Sequence, residues 1–286
     1  MSDAAPKLTF FSKTQTACPV CEAGFFREEL LSGGGRLIAG ELTEELHRTY
    51  EPSKKFGEVQ PLAYAVTVCP SCYFAAYPLD FSAVEDETVG RLQETMERRK
   101  EQVALLFKDL NFSEYRRLEE GAASYYLAIA CYEHFGRHFS PTMKRGLSAL
   151  RAAWLFDALH HKHFGENYDY LAGLFYRKAR FFYMLSVELA QNGREPLDSS
   201  VHLGPDLDKN YGFEGFLYIT GLLEFRYGPR KDRERRVHSL ETARRIVARL
   251  FGTGRASKSK PSAILDKSRE LYDQMTQEMK KLQGEG

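Results

Sequence analysis

The chain has 286 residues, enough for one large or two modest domains. Hydrophobic residues make up 43%, which fits a folded protein with a real core and excludes a low-complexity chain. A formal charge of +1 argues against a wholesale nucleic-acid or membrane-surface binder, no apolar run approaches the roughly 18–20 residues of a membrane span, and the first residues lack a secretory pattern.

Residues 1–15 read as a flexible lead-in, and residues 16–81 as a small β-rich unit. Phe25 to Leu31 and Arg36 to Ala39 predict a hairpin around Gly33-Gly34-Gly35, and residues 51–55 a loop. Leu62, Tyr64, Val66 and Val68 alternate with smaller residues at the period of a strand that delivers the chain into Cys69. At Ser82 the pattern changes. Ser82-Ala83-Val84-Glu85 has the form of a capping box, and a charged helix is expected through residues 97–106. Helical segments are predicted over 120–135, 142–160, 167–190, 214–226 and 239–251, together making an α domain over 82–251. Gly193 after Asn192 marks a helix stop. Residues 252–262 read as a basic linker. Residues 263–286 carry a final amphipathic helix with Ile264, Leu265, Leu271, Tyr272, Met275, Met279 and Leu282 on its apolar face.

Two cysteine pairs, Cys18-Pro19-Val20-Cys21 and Cys69-Pro70-Ser71-Cys72, dominate the first unit. Two residues between paired thiolates let both sulfurs converge on one tetrahedral ion, and two such pairs complete a four-sulfur site. Cys18, Cys21, Cys69 and Cys72 are therefore the expected ligands of one structural zinc ion. The alternative for the same spacing is redox-active thiols able to form disulfides. The separation of the pairs exceeds that of compact ribbons and implies an inserted hairpin or loop. Four free thiols at metal spacing suit a reducing cytoplasm.

The helical segments carry aromatic and small residues at interlocking positions, which points to tetratricopeptide-like hairpins or an ordinary α bundle. Gly221 would let one hairpin close tightly, with residues 239–251 as the returning helix. The fold class expected is thus α+β: a four-cysteine, zinc-ribbon-like unit followed by a mainly α, TPR-like array.

These blocks together resemble a bacterial family known as domain of unknown function 2225. The resemblance rests on the first C-P-x-C pair and on Tyr64-Ala-Val-Thr-Val-Cys-Pro-Ser-Cys-Tyr-Phe-Ala-Ala76. It continues through Leu150-Arg151-Ala152-Ala153-Trp154-Leu155, the segment from Tyr170 to Ala179, and Arg226-Tyr227-Gly228. It covers roughly residues 16–251. It implies zinc-ribbon-like and TPR-like parts and supplies no established activity. One departure is that Glu22 and Tyr73 stand where such knuckles usually have Gly, a position that favours positive φ.

Other features carry less. Cys131 reads as a small core residue. His134 and His138, followed by His160, His161 and His163, make a second metal site conceivable, with helix-end histidines as the plain alternative. The three glycines lack the Gly-Lys-Ser/Thr ending of a phosphate loop. The acidic pairs Glu44-Glu45 and Glu119-Glu120 read as solvated charges, and no nucleophile or metalloprotease motif is present. No enzymatic role is expected. Between Arg226 and Lys260, twelve Lys and Arg face only Asp232, Glu234 and Glu241. The sequence thus favours a cytoplasmic scaffold or adaptor that binds a protein partner, with Arg226, Arg244, Arg245 and Arg249 as charge anchors. The other reading is a nucleic-acid binder using the ribbon and the basic stretch.

Overall fold

A computed structural model describes residues 8–31, 33–197, 203–207, 211–251 and 262–284. It combines three two-stranded antiparallel pairs with a larger set of helices, an α+β architecture in which the four paired cysteines cluster in the β-rich part. The linker expected over 252–262 lies outside the described residues apart from Ser262.

Strand β1 (Thr9–Ala17) pairs with β2 (Gly24–Leu30) from Thr9↔Leu30 to Ala17↔Gly24, with an irregularity between Phe11 and Gln15. The lead-in expected over residues 1–15 therefore already contains a strand. Its β-branched and aromatic residues favour extended structure, and the Thr9 hydroxyl donates to buried Glu28 across the pair at 2.6 Å. Because β2 is taken by β1, the hairpin predicted around Gly33–Gly35 does not form. Instead β3 (Ile38–Leu42) pairs with β4 (Arg48–Glu51), and the three glycines make a left-handed turn between the two pairs.

The strand predicted over 62–68 shortens to β5 (Thr67–Val68), which pairs with β6 (Ala75–Ala76). Pro61 opens a 3-10 turn over Pro61–Tyr64, fixing φ at a helix-like start where the sequence pattern suggested extension. Leu62, Ala63, Val66 and Val68 are all buried, so the alternation there did not mark a half-exposed strand.

Helix α1 (Pro78–Phe81) ends at Ser82, which serves as its C-terminal cap and not as the start of a capping box. The next helix, α2 (Asp86–Glu94), starts after Glu85, and a break at Thr95 separates it from α3 (Met96–Ala104). The capping device lies at α4 (Leu118–Tyr132): the buried Glu120 carboxylate accepts from the Arg117 amide at 3.0 Å and from the Asn111 amide at 3.3 Å.

Two antiparallel helical hairpins follow. In the first, α5 (Pro141–Lys162) packs along α6 (Tyr168–Gln191), with Phe156 against Tyr168 and Phe175 at one end. At the other end Gly146 lies so close to Tyr183 that an added Cβ would fall 2.9 Å from its ring. After α6 stops at left-handed Gly193, the Glu195 carboxylate turns back and accepts from the Thr142 amide and hydroxyl, capping α5. In the second hairpin α7 (Gly212–Tyr227) meets α8 (Arg233–Ala248). A Cβ on Gly221 would come within 2.3 Å of Val247, so this crossing requires glycine. Helix α9 (Ser262–Gln283) buries Ile264, Leu271, Met275 and Met279 against α7 and α8. At 22 and 24 residues, α5 and α6 together already exceed one 34-residue repeat, which is why no strict period runs through the sequence.

The β-rich part and the helices share one continuous core. Phe74 stacks between Phe81 and Phe135, and buried Arg116 donates to the carbonyls of Ala63 and Val66 while its amide donates to Glu28.

Candidate metal centre

Each C-P-x-C pair occupies the turn of a two-stranded hairpin, the first between β1 and β2 and the second between β5 and β6. The two turns have the same hydrogen-bond pattern. The Cys18 amide donates to the Ala23 carbonyl at 3.0 Å and the Glu22 amide to the Cys18 carbonyl at 2.9 Å. Their counterparts run from Cys69 to Phe74 at 2.8 Å and from Tyr73 to Cys69 at 3.0 Å. The amides of Val20 and Cys21 point at the Cys18 sulfur, and those of Ser71 and Cys72 at the Cys69 sulfur. Closing the turn this way drives the residue after the second cysteine into the left-handed region, with φ 61° at Glu22 and 58° at Tyr73. The two departures from glycine thus fall where the backbone asks most for it, at roughly 1–2 kcal/mol each.

The hairpins face each other so that Cys18 Sγ lies 3.6 Å from Cys72 Sγ and Cys21 Sγ 3.6 Å from Cys69 Sγ. All four sulfurs lie within 4.8 Å of one another. Thiolates bound tetrahedrally at about 2.3 Å would be separated by about 3.8 Å, so this donor set fits a metal ion. Cys18, Cys69 and Cys72 are buried and Cys21 is half-buried; none of the five cysteines forms a disulfide. Four thiols this close cannot all ionise alone. Cys69, accepting from Cys18 and then Cys72, is held well below the ordinary thiol range. Cys18 is pushed up to about 12, first by its bond with Cys69, and Cys72 is raised by its bonds to Cys18 and Cys69. A divalent cation relieves that repulsion and lets the remaining protons leave.

Helices α2 and α3 brace both knuckles from outside. Gln93 donates to the Val20 carbonyl at 2.7 Å, and Arg99, 2% exposed, donates to the Cys72 carbonyl at 3.2 Å. Cys131 is a core residue, as expected. Its sulfur accepts from the Ala75 amide at 3.4 Å, and burial raises its thiol to about 11.

The other residues singled out in the sequence scatter. Helix α4 ends before His134, and His138 falls in a separate 3-10 turn, where it faces Glu85 at 3.5 Å, so the two do not share a helix face. Among the described residues only the four cysteines gather at metal-ligand distance. Arg226 is not a free anchor: it pairs with Glu44 and, at 2.5 Å, with Glu45. Arg244 lies over the Tyr272 ring and reaches Thr276 on α9, whereas Arg245 and Arg249 are exposed on α8 and its following turn.

Glu44 and Glu45, read as solvated charges, turn out to be the lock of the β3–β4 hairpin. Glu45 Oε2 accepts from Trp154 Nε1 at 2.5 Å and lies 3.0 Å from the Tyr176 hydroxyl, which also reaches Asp157 at 2.9 Å. One hydroxyl proton cannot serve both carboxylates. Burial, and after it the Glu45 charge, raise the Asp157 pKa against the lowering effect of the Tyr176 hydroxyl. Beside them His47 stacks on Trp154 at 4.4 Å and bonds Asp206 at 2.7 Å. Burial works against the Asp206 carboxylate, but His47 and the amides of Arg48 and Leu207 outweigh it and lower its pKa. Arg151, also buried, donates to the carbonyls of Gly204, Pro205 and Asp206. The signal was the Leu150–Leu155 block, where Arg151 and Trp154 bring polar hydrogen-bonding groups into an apolar helix. The segment between the cysteine pairs is thus a strap: it leaves one knuckle, docks on α5, α6 and α7, and returns to the other.

A family model described as an uncharacterized protein conserved in bacteria (DUF2225) matches residues 11–275. The chain is 42% identical over 276 residues to a protein of Borreliella burgdorferi (strain ATCC 35210 / DSM 4680 / CIP 102532 / B31), described as an uncharacterized protein, covering 96% of this chain and 99% of that one. No solved structure matches. With its cysteine knuckles, its Leu150–Leu155 block and an end-to-end match to that relative, the chain belongs to the bacterial DUF2225 family.

Proposed function

We propose that the chain is a non-catalytic adaptor in which one zinc ion orders the N-terminal hairpins and a TPR-like helical array binds a protein partner. Zinc is supported by the four-thiolate donor set, which selects a soft, tetrahedral ion and leaves no open position for a substrate. A reducing cytoplasm suits five free thiols, and no described helix is long and apolar enough to cross a membrane.

One observation carries the binding role. A groove of about 560 Å³ between α6 and α8 is lined by exposed Phe181, half-buried Met184 and Leu185 and buried Ile246, with Arg245 and Arg249 at its edge. The basic stretch gives less support to nucleic acid, because Arg226 and Arg236 are consumed by Glu44, Glu45 and Glu278. Affinity capture from the protein's own cells, with and without nuclease, tests the reading. A stoichiometric protein that survives nuclease is expected. Co-purified nucleic acid, with salt-sensitive retention lost in an Arg244→Glu/Arg245→Glu variant, would overturn it.

A further inference from the structure

We infer that the groove between α6 and α8 receives an amphipathic helix of another protein, acidic along the side that faces α8. The inference rests on the adaptor reading and names the chemistry of its partner. On α6, the exposed apolar residues Tyr170, Leu174 and Phe181 continue into half-buried Met184 and Leu185. With Arg177 filling the position between Leu174 and Phe181, the stripe steps by four, three, four and three residues. That average of 3.5 is the spacing of a helix-on-helix seam. Phe181 is 57% exposed, although its neighbour Phe182, one position away around the helix, is buried against α5. The outer stripe therefore has the composition of a packing face with no packing element on it among the described residues.

The facing wall is α8. Ile246 supplies its apolar contact, and Arg245 and Arg249, one turn apart, stand along the rim. Arg180 brings no net charge to the groove, because Glu224 holds it at 2.9 and 3.2 Å. Arg245 reaches its own-helix neighbour Glu241 only at 3.9 Å, and Arg249 forms no ion pair with a described residue. Two cations in register along one wall select carboxylates spaced one helical turn apart. Glu188 and Gln191 at the α6 end leave that end without a matching positive charge.

Other occupants fit less well. Phosphates would gain the arginines but leave Phe181, Met184 and Leu185 against solvent. In a second copy, the amphipathic α9 has already spent its apolar face on α7 and α8.

The test places a photocrosslinking phenylalanine analogue in the full-length, zinc-loaded protein in its own cells, either at Leu185 in the groove or at exposed Glu94 on α2. Crosslinked peptides are then sequenced. Leu185, and not Glu94, should capture a segment of another protein with apolar residues at i, i+3 or i+4, and i+7, and Asp or Glu beside them. Arg245→Glu/Arg249→Glu should reduce that product at least about tenfold, with zinc content and thermal unfolding unchanged. Crosslinks to another copy of this chain or to nucleic acid would overturn the inference. Equal capture at both positions, no capture at Leu185, or indifference to the charge reversal would do the same. A stoichiometric partner in affinity capture without a Leu185 crosslink defeats this groove alone; no partner in either experiment defeats the adaptor reading as well.

Discussion

The knuckle hairpins and the helical array are held together by different physics. Strands β5 and β6 are two residues each, and a lone two-stranded pair is marginal in water. Both knuckles also carry a non-glycine residue at positive φ. The hairpins therefore need a cross-link, and the four clustered sulfurs are a donor set that could hold a metal ion for it. In the array, by contrast, the long helices bury apolar faces and their buried charges are tied internally, as where Arg236, fully buried, holds Glu278 of α9 with two hydrogen bonds at 2.7 and 3.0 Å. The β3–β4 strap joins the two regimes, because both of its ends lead to cysteine turns while its tip docks on the helices.

The largest expected effect is on the metal side. Cys69→Ser should abolish metal binding and open residues 17–81. Structural zinc supplies on the order of 10–16 kcal/mol in small zinc-dependent folds. One zinc per wild-type chain and none in the variant, by elemental analysis, checks this; equal content in both would refute it. Helices α2 and α3 should loosen as well, since Gln93 and Arg99 bond directly to the knuckle backbone. On the array side, Arg236→Ala should cost about 3–5 kcal/mol, because it strands Glu278 and the carbonyls of Glu224 and Phe225. Chemical denaturation would show it, with zinc content unchanged.

At the junction, Arg226→Ala should cost less, about 1–3 kcal/mol, since Glu45 keeps its Trp154 and Tyr176 contacts. Trp154 is the chain's single tryptophan and lies beneath His47, so its emission reports directly on strap docking. A shift in that emission without loss of zinc would place the damage at the junction. The smallest effect should be a gain. Glu22→Gly relieves a left-handed residue on an exposed turn and should stabilise by about 0.5–1 kcal/mol, after the entropic cost of glycine. Tyr73→Gly should not match it, because Tyr73 packs edge-on against Phe112 at 5.3 Å.

Much of this arrangement was legible in the residues. Local spacing revealed the cysteine cluster and most helices, because thiolate convergence and helical periodicity are short-range properties. Gly193 and Gly221 likewise did what their position implied. Strand pairing was not legible: Phe25–Leu31 had two possible partners, and the choice of β1 over β3 depends on contacts such as Thr9 to Glu28. Nor was the strap. Glu44-Glu45 looks like any solvated pair until Trp154, Tyr176 and Arg226, more than a hundred residues away, close around it. The pairing of Arg226 is hidden for the same reason, since charge in a sequence does not show what already neutralises it.

Hydrogen exchange on the wild-type protein, metal-loaded and then chelated, tests the division between the two regions most directly. The account predicts that chelation strips protection from residues 9–31 and 67–76, with partial loss in α2 and α3, while α5 to α9 remain protected. Uniform loss along the chain, or no change around the four cysteines, would contradict it.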